Sequence, residues 1–246
     1  MNKTEVLQTI YDLGIIPAIR VSSAEEAHFA ADAITTGGIP IVEITMTVPQ
    51  AVELIHHLVR DHDKILVGGG TVLDLETAQQ CIDAGAAFIT SPGFDPAIVE
   101  LTAKEGVAIL PGALTPTEIV HAWRAGADMV KVFPCAQVGG EKYIRAVKTS
   151  LPQIPLIAAG GVNQQNAANF ILAGATAIGV GGELIPSEDI ELRQSDRIHE
   201  LASRFMGFVK EARRRLATYR DEHADKRTDF DKLHERPLTS GRPIRK

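Results

Sequence analysis

The amino-acid sequence predicts an α/β protein built as a single (β/α)8 TIM barrel, and three observations support this fold class. Short, nearly continuous apolar runs recur along the chain, as expected for parallel strands covered on both faces. A helical stretch follows each run, which is the pattern of repeated strand–helix units. Glycine marks the end of several helices, three times within the sequence Ala-Gly-Ala. The eight predicted strands are 15–21, 39–45, 65–71, 87–92, 108–114, 129–134, 155–161 and 177–182.

Start and stop signals define the helices between these strands. Two serines at 22–23 precede a glutamate pair, and segment 115–118 combines a capping box with proline at the first helical position. From 187 a helical pattern continues to about 219, and the sequence then becomes polar, with arginine–proline pairs near its end. We therefore expect a barrel over 1–212, followed over 213–246 by a basic helix end and a disordered tail.

A doubly wound open sheet is the alternative arrangement of strand–helix units. Its usual Gly-x-Gly-x-x-Gly sequence after the first strand is missing, because segment 15–20 contains no glycine. The length of 246 residues suits either one barrel-type domain or two smaller domains. The presence of eight similar strand–helix units favours the single barrel.

Composition excludes several classes of protein. With 45% hydrophobic residues the chain can bury a core, which excludes intrinsic disorder for most of its length. No apolar run approaches the roughly 18 residues that a membrane-spanning helix needs. Segment 1–13 carries charges and has no apolar stretch like that of a secretory signal. Two cysteines are too few for a disulfide framework or a zinc site, so we expect a reduced, cytoplasmic protein with no membrane contact.

Charge is distributed unevenly along the chain. Of a net charge of −6, segment 213–246 contributes +5, from 11 basic and 6 acidic residues, and the remaining chain contributes −11. A basic tail can bind nucleic acid. Segment 221–227, however, mixes both signs, and the tail has no aromatic-rich binding pattern. The pattern therefore favours a solvated helix end over a nucleic-acid partner.

Two ionisable residues interrupt apolar strands: Glu43 in 39–45 and Lys131 in 129–134. An unpaired buried charge costs several kcal/mol, so each needs a partner, a shifted ionisation or a function. One interpretation is a buried ion pair between them. The other is a lysine nucleophile, since removal from water favours the neutral amine. Such a lysine can form a Schiff base with a ketone while a carboxylate moves protons, which requires no metal.

Other polar and flexible residues also lie at the carboxyl ends of strands, where barrels carry their chemistry. Glycine pairs at 160–161 and 181–182 lie where many barrels bind phosphate through backbone N–H groups. The glycine run 68–70 precedes Thr71, whose hydroxyl suits a carboxylate, and Thr45 ends the second strand. The eight histidines show no metal-ligand spacing, so no metal site is predicted.

Taken together, these residues resemble the 2-keto-3-deoxy-6-phosphogluconate (KDPG) aldolase family, which includes 2-keto-3-deoxy-6-phosphogalactonate and 4-hydroxy-2-oxoglutarate aldolases. The resemblance covers about residues 5–212. The segments that carry it are 42–45 (Val-Glu-Ile-Thr), 68–72 (Gly-Gly-Gly-Thr-Val), 91–93 (Ser-Pro-Gly), 111–112 (Pro-Gly), 131–134 (Lys-Val-Phe-Pro) and 160–162 (Gly-Gly-Val).

The resemblance implies a homotrimeric, metal-independent lyase that acts without a cofactor. Its reaction is the reversible cleavage of a 2-keto acid to pyruvate plus glyceraldehyde 3-phosphate, glyceraldehyde or glyoxylate. By position, Lys131 corresponds to the Schiff-base lysine and Glu43 to the general acid and base. The positions that correspond to substrate-binding residues are Thr71, Pro92 and Phe133 around pyruvate, and Arg20, Gly160, Gly161, Gly181 and Gly182 at the distal, phosphate-facing end.

The sequence departs from the family pattern at three places. Thr47 stands where many members have an arginine near the substrate carboxylate, and Ala159 stands where a threonine often touches the aldehyde portion. Gly182, followed by Glu183, replaces a serine that contacts phosphate. A carboxylate beside a phosphate site repels it, so we expect weaker use of phosphorylated substrates than in a typical member.

Two further functions stay open at this stage. The first is an isomerase or synthase on a related phosphate-binding barrel, in which Lys131 acts electrostatically. The second is a scaffold with reduced catalysis that binds a partner through its basic tail. Retention of Glu43, Thr71 and Lys131 argues against the scaffold, since a scaffold has no need for two charges inside strands.

Overall fold

One parallel sheet forms the centre of the protein in a computed structural model that describes residues 1–62 and 65–222. The expected disordered tail lies outside the described residues. Within the described part of the chain the sheet has nine strands, β1 Ile15–Ile19, β2 Ile41–Thr45, β3 Leu66–Gly70, β4 Phe88–Thr90, β5 Ala108–Leu110, β6 Gly112–Ala113, β7 Val130–Val132, β8 Leu156–Ala159 and β9 Ala177–Val180.

The sheet closes into a barrel at Pro111. The strand order is β5-β4-β3-β2-β1-β9-β8-β7-β6, so the two edge strands are the halves of the predicted fifth strand 108–114. β5 pairs with β4 and β6 pairs with β7. Pro111 separates them because it has no N–H for the ladder, but its carbonyl accepts the Lys131 N–H at 2.9 Å. The predicted eight-stranded barrel is therefore confirmed, with strands that lie within the predicted limits.

Helices surround the sheet. Their ranges are α1 Lys3–Leu13, α2 Ala24–Thr36, α3 Ala51–Asp61, α4 Leu75–Asp83, α5 Pro96–Glu105, α6 Pro116–Ala125, α7 Glu141–Ser150, α8 Ala167–Leu172, α9 Ser187–Glu191 and α10 Ser195–Glu222. The predicted caps are present. Ser23 accepts the Glu26 N–H at the start of α2, and Thr115 and Glu118 form a reciprocal capping box at α6. No helix in 1–62 or 65–222 is long and apolar enough to cross a membrane.

The sequence pattern did not predict α1, although its limits are marked by local signals. Asn2 and Glu5 form a capping box, and Gly14 ends the helix in the left-handed conformation at φ 66°. Lys3 forms a 2.8 Å ion pair with Asp128, which also accepts the Ile109 N–H at 2.9 Å. Burial raises the pKa of Asp128, while these two contacts oppose the rise. The contacts attach α1 to the chain beside β5 and β7.

The predicted continuous helix from 187 onward is wrong, because the chain breaks between α9 and α10. Arg193 adopts the left-handed conformation at φ 52°, which interrupts helical hydrogen bonding. Its guanidinium pairs with Glu25 at 2.5 Å and lies 5.2 Å from the centre of the Phe29 ring. Both partners belong to α2, so tertiary contacts at this position compensate for the break.

α10 is attached to the barrel through Arg213. Its guanidinium donates to the carbonyls of Tyr11, Asp12 and Thr176, the last two at 2.6 and 3.1 Å. It thereby satisfies carbonyls at the end of α1, which have no partner within that helix. α10 runs without interruption through the expected boundary between 212 and 213.

Lys148 is a buried cation outside the barrel interior, and it makes folding stability depend on pH. Its Nζ donates to the carbonyls of Pro152 and Ile154 at 2.7 and 2.8 Å. Burial lowers the pKa of Lys148 from 10.5 to about 8. Between these two values the unfolded chain binds more protons than the folded chain, so stability rises as the pH increases.

We expect the free energy of unfolding of the native protein to rise, relative to Lys148→Met, as the pH increases from 8 towards 10. The gain between pH 7 and pH 10 is about 2 to 3 kcal/mol, because the cost of burying a charged amine disappears as the amine loses its proton. Urea unfolding of both proteins at pH 7 and pH 10 measures it. An identical pH dependence in the two proteins would contradict the prediction.

Candidate active site

Lys131 and Glu43 meet inside the barrel, although 88 residues separate them in the chain. Lys131 is the central residue of β7, and Glu43 is the central residue of β2. The Lys131 Nζ lies 3.4 Å from each carboxylate oxygen of Glu43. The residues are only 7% and 2% exposed, so each charge has the other as its main compensation. This contact fits both the ion pair and the lysine nucleophile that the sequence suggested.

A third polar group contacts the same nitrogen. Thr90, the last residue of β4, lies with its Oγ1 3.3 Å from the Lys131 Nζ and is only 1% exposed. Thr90 is not among the residues predicted from the sequence. A signal was present, since Thr90 is a polar residue within the apolar run 87–92. Its importance depends on the closed sheet, which brings a residue of β4 to a residue of β7, a strand with which β4 does not pair.

One aromatic ring lies beside this polar cluster. The Lys131 Nζ lies 5.9 Å from the centre of the Phe133 ring, which follows β7 and is half-buried. Pro92 is also half-buried, on the loop that follows β4. A β-carbon on Gly112 would lie 2.1 Å from the Pro92 carbonyl carbon and oxygen. Glycine at 112 therefore allows this loop to lie against β6.

The glycine run at the end of β3 makes room for side chains of this protein. A β-carbon on Gly68 would lie 2.3 Å from the Phe88 ring, and one on Gly70 would lie 2.3 Å from the Glu43 Oε1. In the structure the space at Gly70 is occupied by the Glu43 carboxylate, so this glycine determines where the carboxylate lies.

Two threonines at strand ends have different surroundings. Thr45 is fully buried, and its hydroxyl donates to the Ile19 carbonyl at 2.9 Å and contacts the Thr47 hydroxyl at 2.6 Å. It thereby links the ends of β2 and β1. Thr71 follows β3, is half-buried and has φ 59°, a conformation that non-glycine residues rarely adopt. A residue held in this way is typical of a functional site.

The predicted distal residues lie on the loops after β1, β8 and β9. Gly160 and Gly161 have φ of 84° and 81°, and a β-carbon on Gly160 would lie 2.9 Å from Pro134. Gly181 is half-buried and Gly182 is exposed, and they follow β9, which is paired with β1. Arg20, after β1, is exposed and lines a cavity of about 280 Å³ together with Ser22, with Glu26 of α2 and with Ser187 and Glu191 of α9.

The cysteines are unsuited to act as nucleophiles. Cys81 and Cys135 are both free and buried. Burial raises the pKa of each thiol to about 12, so neither is a thiolate near neutral pH. Across residues 1–62 and 65–222, no three His, Cys, Asp or Glu side chains cluster in a way that could hold a metal ion. Lys131 is therefore the best-placed nucleophile among the described residues.

A barrel that holds a buried lysine against a carboxylate has the arrangement of a class I aldolase, which reacts through a Schiff base. Comparison with known proteins supports this class. The family model for KDPG and KHG aldolases matches residues 6–201. The chain therefore belongs to the KDPG and KHG aldolase family. This membership favours an aldolase, a lyase, over the isomerase or synthase alternative.

Individual relatives agree with the family assignment. The 2-dehydro-3-deoxy-phosphogluconate aldolase of Treponema pallidum is 31% identical over 205 residues, covering 83% of this chain and 97% of that protein. The crystal structure of KDPG aldolase from Legionella pneumophila, with pyruvate captured at low pH as a covalent carbinolamine intermediate, is 28% identical with a TM-score of 0.76. The match covers 82% of this chain and 98% of the Legionella chain.

A designed protein is also similar in structure. It is a cube-shaped, highly porous cage made by fusing symmetric oligomeric domains, and it is 30% identical with a TM-score of 0.79. The similarity covers 87% of this chain and 78% of that chain.

We expect Gly70→Ala to lower kcat/KM by about 100-fold or more, because the added methyl group would displace the Glu43 carboxylate from Lys131. The measurement is steady-state kinetics of pyruvate release, with circular dichroism to verify folding. Gly207→Ala is the matched control, since a β-carbon at this position in α10 would meet no atom within 4 Å. An unchanged kcat/KM in a folded Gly70→Ala protein would contradict this prediction.

Proposed function

We propose that this protein cleaves a 2-keto-3-deoxy sugar acid, with or without a 6-phosphate, or a 4-hydroxy-2-oxo acid, to pyruvate and an aldehyde. The aldehyde would be glyceraldehyde 3-phosphate, glyceraldehyde or glyoxylate. The observation that carries this proposal is the buried contact of 3.4 Å between the Lys131 Nζ and the Glu43 carboxylate. It places a nucleophile and a proton acceptor at the same point in the barrel.

The proposed mechanism begins with the Lys131 amine adding to the C2 ketone of the substrate. Loss of water from the carbinolamine gives an iminium, which serves as the electron sink. Glu43 then accepts the proton of the C4 hydroxyl while the C3–C4 bond breaks and the aldehyde leaves. The enamine that remains is protonated at C3, and hydrolysis releases pyruvate. Because the iminium withdraws the electrons, the proposed reaction requires no metal or other cofactor.

The remaining predicted residues would bind the two ends of the substrate. Thr71 would contact the pyruvate carboxylate, while Pro92 and Phe133 would form the walls around it. The position of Phe133 beside the Lys131 Nζ supports this role. At the distal end the proposed contacts are Arg20, Gly160, Gly161, Gly181 and Gly182. Thr45, at the end of β2, is a further proposed substrate-binding residue.

We also propose a homotrimer of cytoplasmic location, with the aldolase barrel in 1–212 and a basic appendage in 213–246. The designed cage built from symmetric oligomeric domains supports an oligomeric state, since its chain resembles this one. The two free cysteines fit a reducing compartment. No feature of the described residues adds support for a nucleic-acid partner.

We expect borohydride to trap a pyruvate adduct on Lys131, because reduction converts the iminium into a stable secondary amine. Mass spectrometry of the intact protein and of its peptides locates the adduct. Lys131→Arg should abolish it, since a guanidinium forms no Schiff base. Lys148→Met should retain it, as this second buried lysine lies outside the barrel interior. An adduct that persists in Lys131→Arg would refute the proposal.

The distal loops suggest which substrates are preferred. Arg20 shares its cavity with the carboxylates of Glu26 and Glu191, and Glu183 is exposed beside Gly182. Glu26 accepts two hydrogen bonds from Ser22, its N–H at 2.8 Å and its hydroxyl at 2.7 Å, and these lower the pKa of Glu26. Fixed negative charge at this end disfavours a phosphate dianion. We therefore propose that unphosphorylated substrates are used at least as well as phosphorylated ones.

We expect kcat/KM for 2-keto-3-deoxy-6-phosphogluconate to be no higher than for its unphosphorylated analogue. Glu183→Gln should raise kcat/KM for the phosphorylated substrate by roughly fivefold at low salt, since it removes a repulsive charge. Glu188→Gln, which alters an exposed acid on α9, is the control. Steady-state rates of pyruvate release give kcat/KM for the native protein and for both variants. A large preference of the native protein for the phosphate ester would contradict this proposal.

A further inference from the structure

Thr90 brings a neutral hydroxyl to the nitrogen that the proposed function uses as nucleophile. The Lys131 Nζ has three oxygen neighbours at almost equal distance, both carboxylate oxygens of Glu43 at 3.4 Å and the Thr90 Oγ1 at 3.3 Å. These match the three N–H groups of a lysine ammonium. The three residues come from different strands, β2, β4 and β7, so Thr90 reaches the nitrogen independently of Glu43.

The two acceptors differ in what else they must do during the reaction. An ionised carboxylate only accepts hydrogen bonds, and Glu43 must also take a proton from the substrate. The Thr90 hydroxyl has no such duty. In the neutral amine the nitrogen has two N–H groups, and Glu43 and Thr90 can each accept one. The lone pair then points away from both acceptors, towards an incoming ketone.

The iminium changes this balance. The amine, the ketone and one proton give the iminium and one water, and the nitrogen then carries a single N–H. Only one of the two acceptors can hold that N–H. If Glu43 held it, that hydrogen bond would stabilise the ionised carboxylate and make it a weaker base when the proton of the C4 hydroxyl must leave.

We infer that Thr90 accepts the single N–H of the iminium and thereby leaves Glu43 free to accept the substrate proton. The inference rests on the proposed aldolase function. During cleavage the C4 hydroxyl proton passes to Glu43, and the O–H electron pair forms the C4=O bond of the aldehyde. The C3–C4 electron pair then forms the C2–C3 double bond, and the iminium π pair moves to nitrogen. Thr90 forms and breaks no covalent bond, and it acts as a positioning residue.

Proton exchange of pyruvate separates this role from Schiff-base formation. In deuterated water the protein should exchange the methyl protons of pyruvate, because Glu43 removes a C3 proton from the iminium and deuterium returns to the enamine. Proton NMR measures the exchange rate. Borohydride trapping at saturating pyruvate measures the fraction of Lys131 present as iminium. The exchange rate divided by the trapped fraction reports how fast Glu43 removes the C3 proton once the iminium exists.

We expect Thr90→Val to lower exchange per trapped adduct by roughly 10- to 100-fold, the loss that corresponds to one hydrogen bond to a charged group. Thr90→Ser keeps the hydroxyl and should retain most of the native ratio. Thr102→Val is the matched control. This fully buried threonine of α5 uses its hydroxyl on the carbonyls of Ile98 and Val99, both at 3.0 Å, so its replacement should leave the ratio unchanged.

A native ratio in Thr90→Val would overturn the inference, as would an equal loss in Thr90→Ser. If Thr90→Val does not fold, the pair Thr90→Ala and Thr90→Ser gives the same comparison of a hydroxyl with none. Failure of the proposed function itself has a different result, in which the native protein forms no adduct and exchanges no protons. If the native protein forms the adduct and Thr90→Val exchanges protons at the normal rate, only the role of Thr90 is contradicted, and the proposed function stands.

Discussion

The contact between Lys131 and Glu43 is the interaction on which the rest of the structure depends. Two opposite charges lie almost wholly out of water, and removal of either would leave the other buried without compensation, at a cost of about 3 to 5 kcal/mol. Their separation is determined by the barrel, because β2 and β7 are not neighbours in the sheet. The proposed chemistry therefore requires closure of the barrel, and closure is achieved close to the lysine.

Closure and the lysine are linked through the backbone. Pro111 ends the pairing of β5, and its carbonyl accepts the Lys131 N–H, so the point where the two edges of the sheet meet also holds β7 in place. Gly112 is opposite Lys131 in the register and permits the loop that carries Pro92 to approach. Gly70 provides the space for the Glu43 carboxylate. Small backbone features thus determine where the large polar groups lie.

The outer elements support this arrangement without contributing chemistry. Asp128 precedes β7 and is tied both to α1, through Lys3, and to β5, through the Ile109 N–H. Arg213 satisfies carbonyls at the end of α1 and one before β9. Both contacts act near the beginnings of strands, at the end of the barrel opposite the proposed site. The fold thereby separates stability from function, as is usual in barrels of this type.

Those features of the fold and of the site whose signals lie within one sequence segment were predictable from the sequence. The apolar runs and capping residues predicted the strands and most helices, since strand burial and helix capping depend on neighbouring residues. Glu43 and Lys131 were recognisable because a charge in an apolar strand is costly wherever that strand lies. The break at Arg193 was not predictable, as its contacts with Glu25 and Phe29 come from α2.

The sequence by itself determined the repeated strand–helix units and the two charges that need compensation. Only the tertiary structure decided which groups compensate them. Glu43 and Thr90 reach the Lys131 nitrogen because a closed sheet directs side chains of separate strands to one axis. Likewise, Gly70 is required by a carboxylate from another strand, so its role has no local signal. Distances between strands depend on barrel closure, which no single segment encodes.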